Sequence, residues 1–347
     1  MYIKVGILTA PKIEYELREH TFLLKNVRIG IGFHWDRHED QEFAGSLEIR
    51  NNADGTQTAI NTIDLEDYLC SVISSEMNAN SPMELLKAHA VISRSWAIRA
   101  MQKPNHEGYH VCADDHCQRY EGLRRMNERA IEAVNATRGQ VLMYGDEICD
   151  CRYYKCCGGR TEIWRTCWED IDVPYIQSVK CDWCDPKRKS FVHCTSVLRT
   201  SLNDYDQETK DFRDWQVTYT ADELSDIIRT KSGIDFGQII DLIPLHRGAS
   251  GRIDQLKIVG THHTEVIGKE LKIRLWLSRT CLYSSWFDVK KEPLSIVPRH
   301  FVLSGHGWGH GAGLCQIGAA VMASEGKTYE EILSYYYVGT RLSTPAL

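Results

Sequence analysis

The chain has 347 residues, 43% of them hydrophobic and 25% charged, enough to bury one large core or two modest ones. Its formal charge of -6, with no basic run longer than Lys187-Arg-Lys189, argues against a general nucleic-acid binder. No stretch approaches the roughly 18 consecutive apolar residues of a membrane span, and the first apolar run is short and followed at once by Lys12 and Glu14, so no secretory signal is expected there.

In chain order, residues 2–9, 27–33 and 45–50 predict short strands, with Asn52-Ala-Asp-Gly55 as a turn before another. Helices are expected at 64–77 and 82–101. Ser81, Pro82 and Glu84 have the spacing of a capping box with proline where its missing N–H costs least. A third helix is expected near 125–137, then strands at 140–144 and 148–154, and a helix at 222–228 after Thr220. Residues 250–275 alternate as a hairpin, and two helices close the chain, the last opened by a capping box at Thr328 and Glu331. Runs of strands and helices segregated in this way predict an α+β fold rather than a doubly wound sheet. The expected organisation is one unit over 1–347, which could divide into two lobes, about 1–145 with 295–347, and 146–294 as a cysteine-containing β-rich lobe.

Leu65, Leu69, Val72 and Glu76 fall at i, i+4, i+7 and i+11, so Glu76 continues an apolar helix face. A carboxyl group at the edge of a core loses hydration, which raises its pKa toward the range of a general acid. The same spacing also suits a helix-end glutamate turned to solvent. Lys87 and Arg94 share a face with Ala90 and Ala97 on the next helix, where two cations could meet an anionic or carbonyl-rich ligand or form an ordinary solvated face.

Near the other end, Gly305-His-Gly-Trp-Gly-His-Gly-Ala-Gly313 is too rich in glycine for a regular helix, so the His306 and His310 pair need not converge on a metal. Such backbone permits close approach of a bulky ligand. Trp308 and Tyr335 to Tyr337 offer sugar-stacking faces, with burial in the core as the commoner alternative.

The chain has thirteen cysteines, an odd number that leaves at least one unpaired if the rest form intramolecular disulfides, and two clusters stand out among them. His106, His110, Cys112, His116 and Cys117 supply more than enough ligands for a tetrahedral zinc, against a Cys112 to Cys117 disulfide. From Cys149 to Cys194, including Cys181-Asp-Trp-Cys184, disulfides stapling an irregular segment are the expectation, with a second zinc site as the alternative.

Several ordered blocks carry a resemblance. Asp64-Leu-Glu-Asp-Tyr-Leu69, Ser75-Glu-Met77, Lys87-Ala-His-Ala-Val91 and Arg94-Ser95 resemble the hallmark block of the stage II sporulation protein D/LytB family. Cys112 to Gln118, Gly158-Gly-Arg-Thr-Glu162, Pro174-Tyr175, Ser250-Gly-Arg252, Gly307-Trp-Gly-His-Gly311, Gln316, Gly318 and Tyr336-Tyr337-Val-Gly-Thr340 are similar to its later blocks in the same order, so the likeness spans roughly residues 45 to 342. The chain departs from the pattern at His89 for glutamine, Trp96 for tyrosine, Leu314-Cys315 for methionine-serine, and Cys156-Cys157 for small hydroxyl residues.

The resemblance implies a peptidoglycan lytic transglycosylase whose acid is Glu76, or a non-catalytic enhancer of a cell-wall amidase. Both take peptidoglycan glycan strands as partner and act in the cell envelope, for which no export signal is visible here. One carboxyl suffices for the first, protonating the bond from muramic acid to glucosamine and then deprotonating the muramic 6-hydroxyl. The candidates for hydrogen bonds to the sugar are Lys87, Arg94, Gln118, His306, His310 and Gln316. Catalysis needs no cofactor. The resemblance implies a structural zinc, with His106, Cys112 and Cys117 as ligands. A third reading, a cysteine-dependent hydrolase using Cys315 near His310, lacks a base and an orienting acid placed by spacing.

Overall fold

The computed structural model describes residues 1–31, 36–77, 80–114, 116–200, 213–293 and 298–345. The tail of the 27–33 strand prediction and most of the Asn78 to Asn80 link lie outside the described residues.

Alternation of Ile3, Val5 and Ile7 makes β1 (Tyr2–Ala10) a half-buried strand. β2 (Tyr15–Leu17), β3 (Thr21–Ile29) and β4 (Arg37–Ala44) form one antiparallel sheet. β5 (Ser46–Asn51) and β6 (Gln57–Asp64) join β1 in another, which β7 (Val111–Cys112) extends in parallel. β6 runs straight into α1 (Leu65–Glu76), whose N-cap Asp64 accepts from the Glu66 N–H. Leu65, Leu69 and Val72 are buried, at about 1.5–3 kcal/mol each. That buried face sets the rotation of the helix, and so where Glu76 emerges at its end.

α2 (Met83–Gln102) packs on α1 and on α3 (Glu128–Ala136), and its small Ala88, Ala90 and Ala97 allow close approach. Arg94 is fully buried and forks onto Glu66 at 2.9 and 2.7 Å, while also donating to the Gln140 carbonyl at 3.0 Å. The expected capping box at Ser81 does not form. The N-cap is Pro82 with no side-chain bond, because Glu84 is taken by Lys87 at 2.7 Å and by the Tyr329 N–H at 2.8 Å. The same motif at Thr328 and Glu331 is present in full.

β8 (Val141–Tyr144) and β9 (Glu147–Ile148) form a hairpin, and β10 (Tyr153–Tyr154) belongs to a different sheet, so the single strand expected over 148–154 is broken. The break is held by a bond from the Asp150 N–H to the Tyr175 hydroxyl at 2.9 Å. There follow α4 (Trp164–Cys167), a 3-10 turn (Asp182–Cys184), α5 (Lys189–Thr200), β11 (Asp214–Thr220) and α6 (Ala221–Ser232). β12 (Ile239–Arg247), β13 (Ile253–Gly260) and β14 (Thr264–Ile267) make an antiparallel sheet. The hairpin expected to reach 275 stops at Ile267, and residues 270–276 are α7 (Glu270–Trp276), which buries Ile273. β15 (Phe287–Glu292) and β16 (His300–His306) pair with β11, and β17 (Leu314–Cys315) pairs in parallel with β10. α8 (Gln316–Ser324), α9 (Tyr329–Tyr336) and β18 (Arg341–Ser343), which returns to β8, complete a mixed α+β fold.

Candidate active site

A cleft of about 1670 Å³ passes the end of α1, and Glu76 lines it together with Trp168, Trp308, His310 and Gln316. The Glu76 Oε1 accepts from the Arg119 N–H at 3.1 Å and from the Tyr153 hydroxyl at 3.0 Å. Burial, and then the charge of Glu76 itself, push the Tyr153 pKa well up, so the phenol keeps its proton and donates.

Tyr153 is itself held from two sides. Its carbonyl accepts from His310 Nε2 at 3.0 Å, and His310 Nδ1 accepts from the Ala312 N–H at 3.1 Å, which assigns the Nε2–H tautomer. Burial, with the charges of Arg152, Arg274 and Arg252 nearby, holds His310 well below the usual histidine range, in keeping with that neutral ring. Against the other face, the His89 ring meets Tyr153 edge-on at 4.4 Å. His89 bonds Ser93 Oγ at 3.2 Å and Gln316 Nε2 at 3.1 Å, and burial pushes its pKa down to about 3. With a neutral ring, the Gln316 amide donates to His89 Nε2 and His89 Nδ1–H donates to Ser93.

The rest of the wall is aromatic and cationic. The Arg152 guanidinium sits 4.9 Å over Trp168 and 5.3 Å over Trp164, and it pairs with Asp150 at 2.7 Å. Among the other carboxylates lining the cleft, Glu121 is engaged by Arg125 at 2.6 Å and Arg37 at 3.5 Å, which ties it into an ion-pair network.

On the same cleft, His106, Cys112, His116 and Cys117 converge with their ligand atoms all within 4.8 Å of one another. The separations are 3.3 Å for His106 Nε2 to Cys117 Sγ, 3.6 Å for His116 Nδ1 to Cys117 Sγ and 4.0 Å for His116 Nδ1 to Cys112 Sγ. A tetrahedral zinc with Zn–S near 2.3 Å and Zn–N near 2.0 Å spaces nitrogen and sulfur about 3.6 Å apart, so this donor set fits. Hydrogen bonds from Cys117 and then His116 pull the Cys112 pKa well down, toward the thiolate a metal takes. His110 is elsewhere, its Nδ1 accepting from the Lys4 N–H. The fourth donor, His116, completes the three residues the sequence reading chose.

Of the residues expected to meet a ligand, His310 and Gln316 reach the cleft and four do not. Arg94 is consumed by Glu66 inside the helical core. Lys87 bonds Glu84 and lies 5.8 Å over the Tyr329 ring, away from Glu76. His306 pairs with Asp214 and lies tilted against the Trp286 ring, 5.0 Å between centroids. Gln118 is buried one layer behind, accepting from Tyr68 and donating to the Ser93 carbonyl. Cys315 is fully buried, with its sulfur 3.4 Å from that of Cys184, which removes the nucleophile of the cysteine-hydrolase reading. Among the tyrosines offered for stacking, Tyr336 and Tyr337 are core residues, whereas Trp308 does line the cleft. Sequence reasoning missed Arg119, Arg152, Tyr153 and Trp168. Tyr153 carried one faint signal, an aromatic pair between Cys151 and Cys156 in the cysteine-containing segment.

The site is thus an α+β scaffold with a long cleft, an acid fixed at a helix end and a Cys/His cluster beside it. Residues 53–144 match the family described as stage II sporulation protein, and residues 162–313 match a domain of unknown function (DUF8618). An uncharacterized protein of Brachyspira hyodysenteriae is 29% identical over 299 residues, covering 86% of this chain and 71% of that protein. Stage II sporulation protein D of Bacillus subtilis is 28% identical over 304 residues, 82% of this chain and 76% of its own length. The amidase enhancer of the same organism is 26% identical over 300 residues, 80% of this chain but 40% of the enhancer. The chain thus carries a stage II sporulation protein domain over residues 53–144 and is similar along most of its length to proteins named stage II sporulation protein D and amidase enhancer.

Proposed function

We propose that this protein is a peptidoglycan lytic transglycosylase with Glu76 as its single acid and base. The observation that carries the reading is the fixed carboxyl: Glu76 lines a cleft of about 1670 Å³, with Oε1 tied to the Arg119 N–H and the Tyr153 hydroxyl. The Glu76 carboxyl gives its proton to the oxygen between N-acetylmuramic acid and N-acetylglucosamine as that bond breaks. The carboxylate then takes the proton from the muramic 6-hydroxyl, whose oxygen bonds to C1 and closes the 1,6-anhydro ring. Water does not enter the product. Tyr153 keeps its hydrogen bond throughout and stabilises the carboxylate between the two steps. Gln316 and the His310 backbone run form the opposite wall, while Trp168 and Trp308 provide faces for sugar rings.

A zinc held by His106, Cys112, His116 and Cys117 would fix the loop that presents the Arg119 N–H, a structural task outside the reaction. A glycan substrate puts the protein in the cell envelope, in keeping with the names of its relatives. The likeness to an amidase enhancer favours a second reading, in which the cleft binds glycan and assists a cell-wall amidase without cutting. Incubation of the native protein and Glu76→Gln with intact and peptide-stripped peptidoglycan, followed by mass spectrometry of the soluble products, separates the two. Fragments ending in 1,6-anhydromuramic acid from the native protein alone are expected. Binding without cleavage by either protein would establish the enhancer reading instead.

A further inference from the structure

A second group of thiols lies behind the cleft. Cys157, Cys181, Cys184 and Cys315 come from three separated segments, and their sulfurs all lie within 4.8 Å of one another. Each residue is at most 1% exposed. Cys181 caps and Cys184 ends the 3-10 turn, a Cys-x-x-Cys knuckle; Cys157 precedes the Gly158-Gly159 bend, where both glycines have positive φ (78° and 124°); and Cys315 is the N-cap of α8. Their sulfurs stand 3.8 Å apart for Cys181 and Cys184 and 3.4 Å for Cys184 and Cys315. A tetrahedron with Zn–S bonds near 2.3 Å has edges of about 3.8 Å. A cluster of several irons would hold four sulfurs farther apart, and a disulfide would bring two of them to about 2.0 Å.

The surroundings suit thiolates. The Cys157 sulfur accepts from the Gly159 N–H at 3.2 Å, and the Cys315 sulfur accepts from the N–H groups of Cys157 at 3.2 Å and Gly318 at 3.4 Å. The Tyr336 hydroxyl stands 3.4 Å from the Cys181 sulfur. Neutral thiols are weak acceptors, whereas metal-bound thiolates draw such donors. The buried Arg252 guanidinium bonds the carbonyls of Cys157 and Cys156, bringing a positive charge against the group. Gly318 leaves room for it, since a Cβ there would lie 2.9 Å from the Cys181 sulfur.

We infer that Cys157, Cys181, Cys184 and Cys315 bind a structural zinc ion as a tetrathiolate, formed with release of four protons from four thiols. A neighbouring buried thiol, Cys156, is not among the four whose sulfurs converge. The site ties β17 and the start of α8 to the segment after β10. The neighbours of its ligands are therefore Gln316 and the strand carrying Tyr153. Zinc here positions the far wall of the cleft from behind, independently of what the cleft does.

The test is metal analysis of the purified protein with X-ray absorption at the zinc edge. In the Cys112→Ser/Cys117→Ser variant, which loses the cleft cluster, about one zinc per chain with about four sulfur neighbours near 2.3 Å is expected. Cys184→Ser in that background should lose it, and Cys156→Ser should keep it. If the cleft cluster is needed for folding, the unsubstituted protein suffices. Two zinc sites then average about three sulfurs and one nitrogen, whereas the mixed cluster alone gives about two of each. That second result overturns the inference, as does a non-reducing mass lowered by a disulfide between two of these four residues. Iron in place of zinc overturns the metal assigned.

Discussion

The two walls of the cleft are built differently. One is local: Glu76, the four residues of the Cys/His cluster and Arg119 all lie between residues 76 and 119, within the stretch that matches the stage II sporulation protein model. The other is assembled from distant chain, with Tyr153 beside Leu314 in a parallel pair and Cys157 and Cys184 meeting Cys315. On the proposed transglycosylase reading the local wall carries the proton donor and the distant wall aims it, so damage to the two should read differently. Chemistry should fail on one side and stability and geometry on the other.

The largest contrast should come from metal removal. With a zinc in each cluster, a chelator should strip the half-exposed cleft cluster first and leave the buried tetrathiolate until the protein unfolds. Two-phase zinc release followed by a chromogenic chelator, the slow phase coinciding with loss of the circular dichroism signal, is the expected trace. Structural zinc is worth on the order of 10 kcal/mol in small domains, so Cys184→Ser should lower thermal stability far more than Cys112→Ser. A single fast phase would erase the distinction between the walls.

Next is Glu76→Gln, which removes the transferable proton and leaves the shape. A loss of about 100-fold or more in anhydro-product formation, with an unchanged melting temperature, is expected. Tyr153→Phe should cost less, about tenfold, since it removes one hydrogen bond to a charged group. Its effect should fall on turnover rather than on glycan binding. Equal losses in both would make Tyr153 a binding residue and blur the division between donor and aim.

How much of this was legible follows the same division. Glu76 could be found because Leu65, Leu69 and Val72 fix the helix face over a few turns, and the Cys/His cluster because its four ligands fall within twelve residues, from 106 to 117. The tetrathiolate spans 157 to 315, and only its Cys-x-x-Cys half has a local pattern. Arg94 misled for a related reason. Charge at a helix face reads as a ligand contact, but its acidic partner Glu66 lies 28 residues earlier, and only the packing of α1 on α2 brings the two together. The Ser81 capping box failed because Glu84 answers to Tyr329, a partner 245 residues away.

The smallest expected effect tests whether His89 belongs to the aiming wall. It is fully buried, its pKa is pushed from 6.5 down to about 3, and it bonds Gln316 only as a neutral ring. Between those values the unfolded chain binds a proton that the folded chain refuses. Stability from this residue is therefore complete above about pH 6.5 and declines as pH falls toward 3, by about 1.4 kcal/mol per unit. Glutamine can keep a bond to Gln316 without titrating, so His89→Gln should flatten that part of the curve. Urea unfolding at pH 7 and pH 5.5 should give a difference smaller in the variant by about 1 kcal/mol. Equal pH dependence in the two proteins would mean that the ring is protonated and reorganised in the folded state. Gln316 would then have no fixed partner, and the far wall would be loose where it faces Glu76.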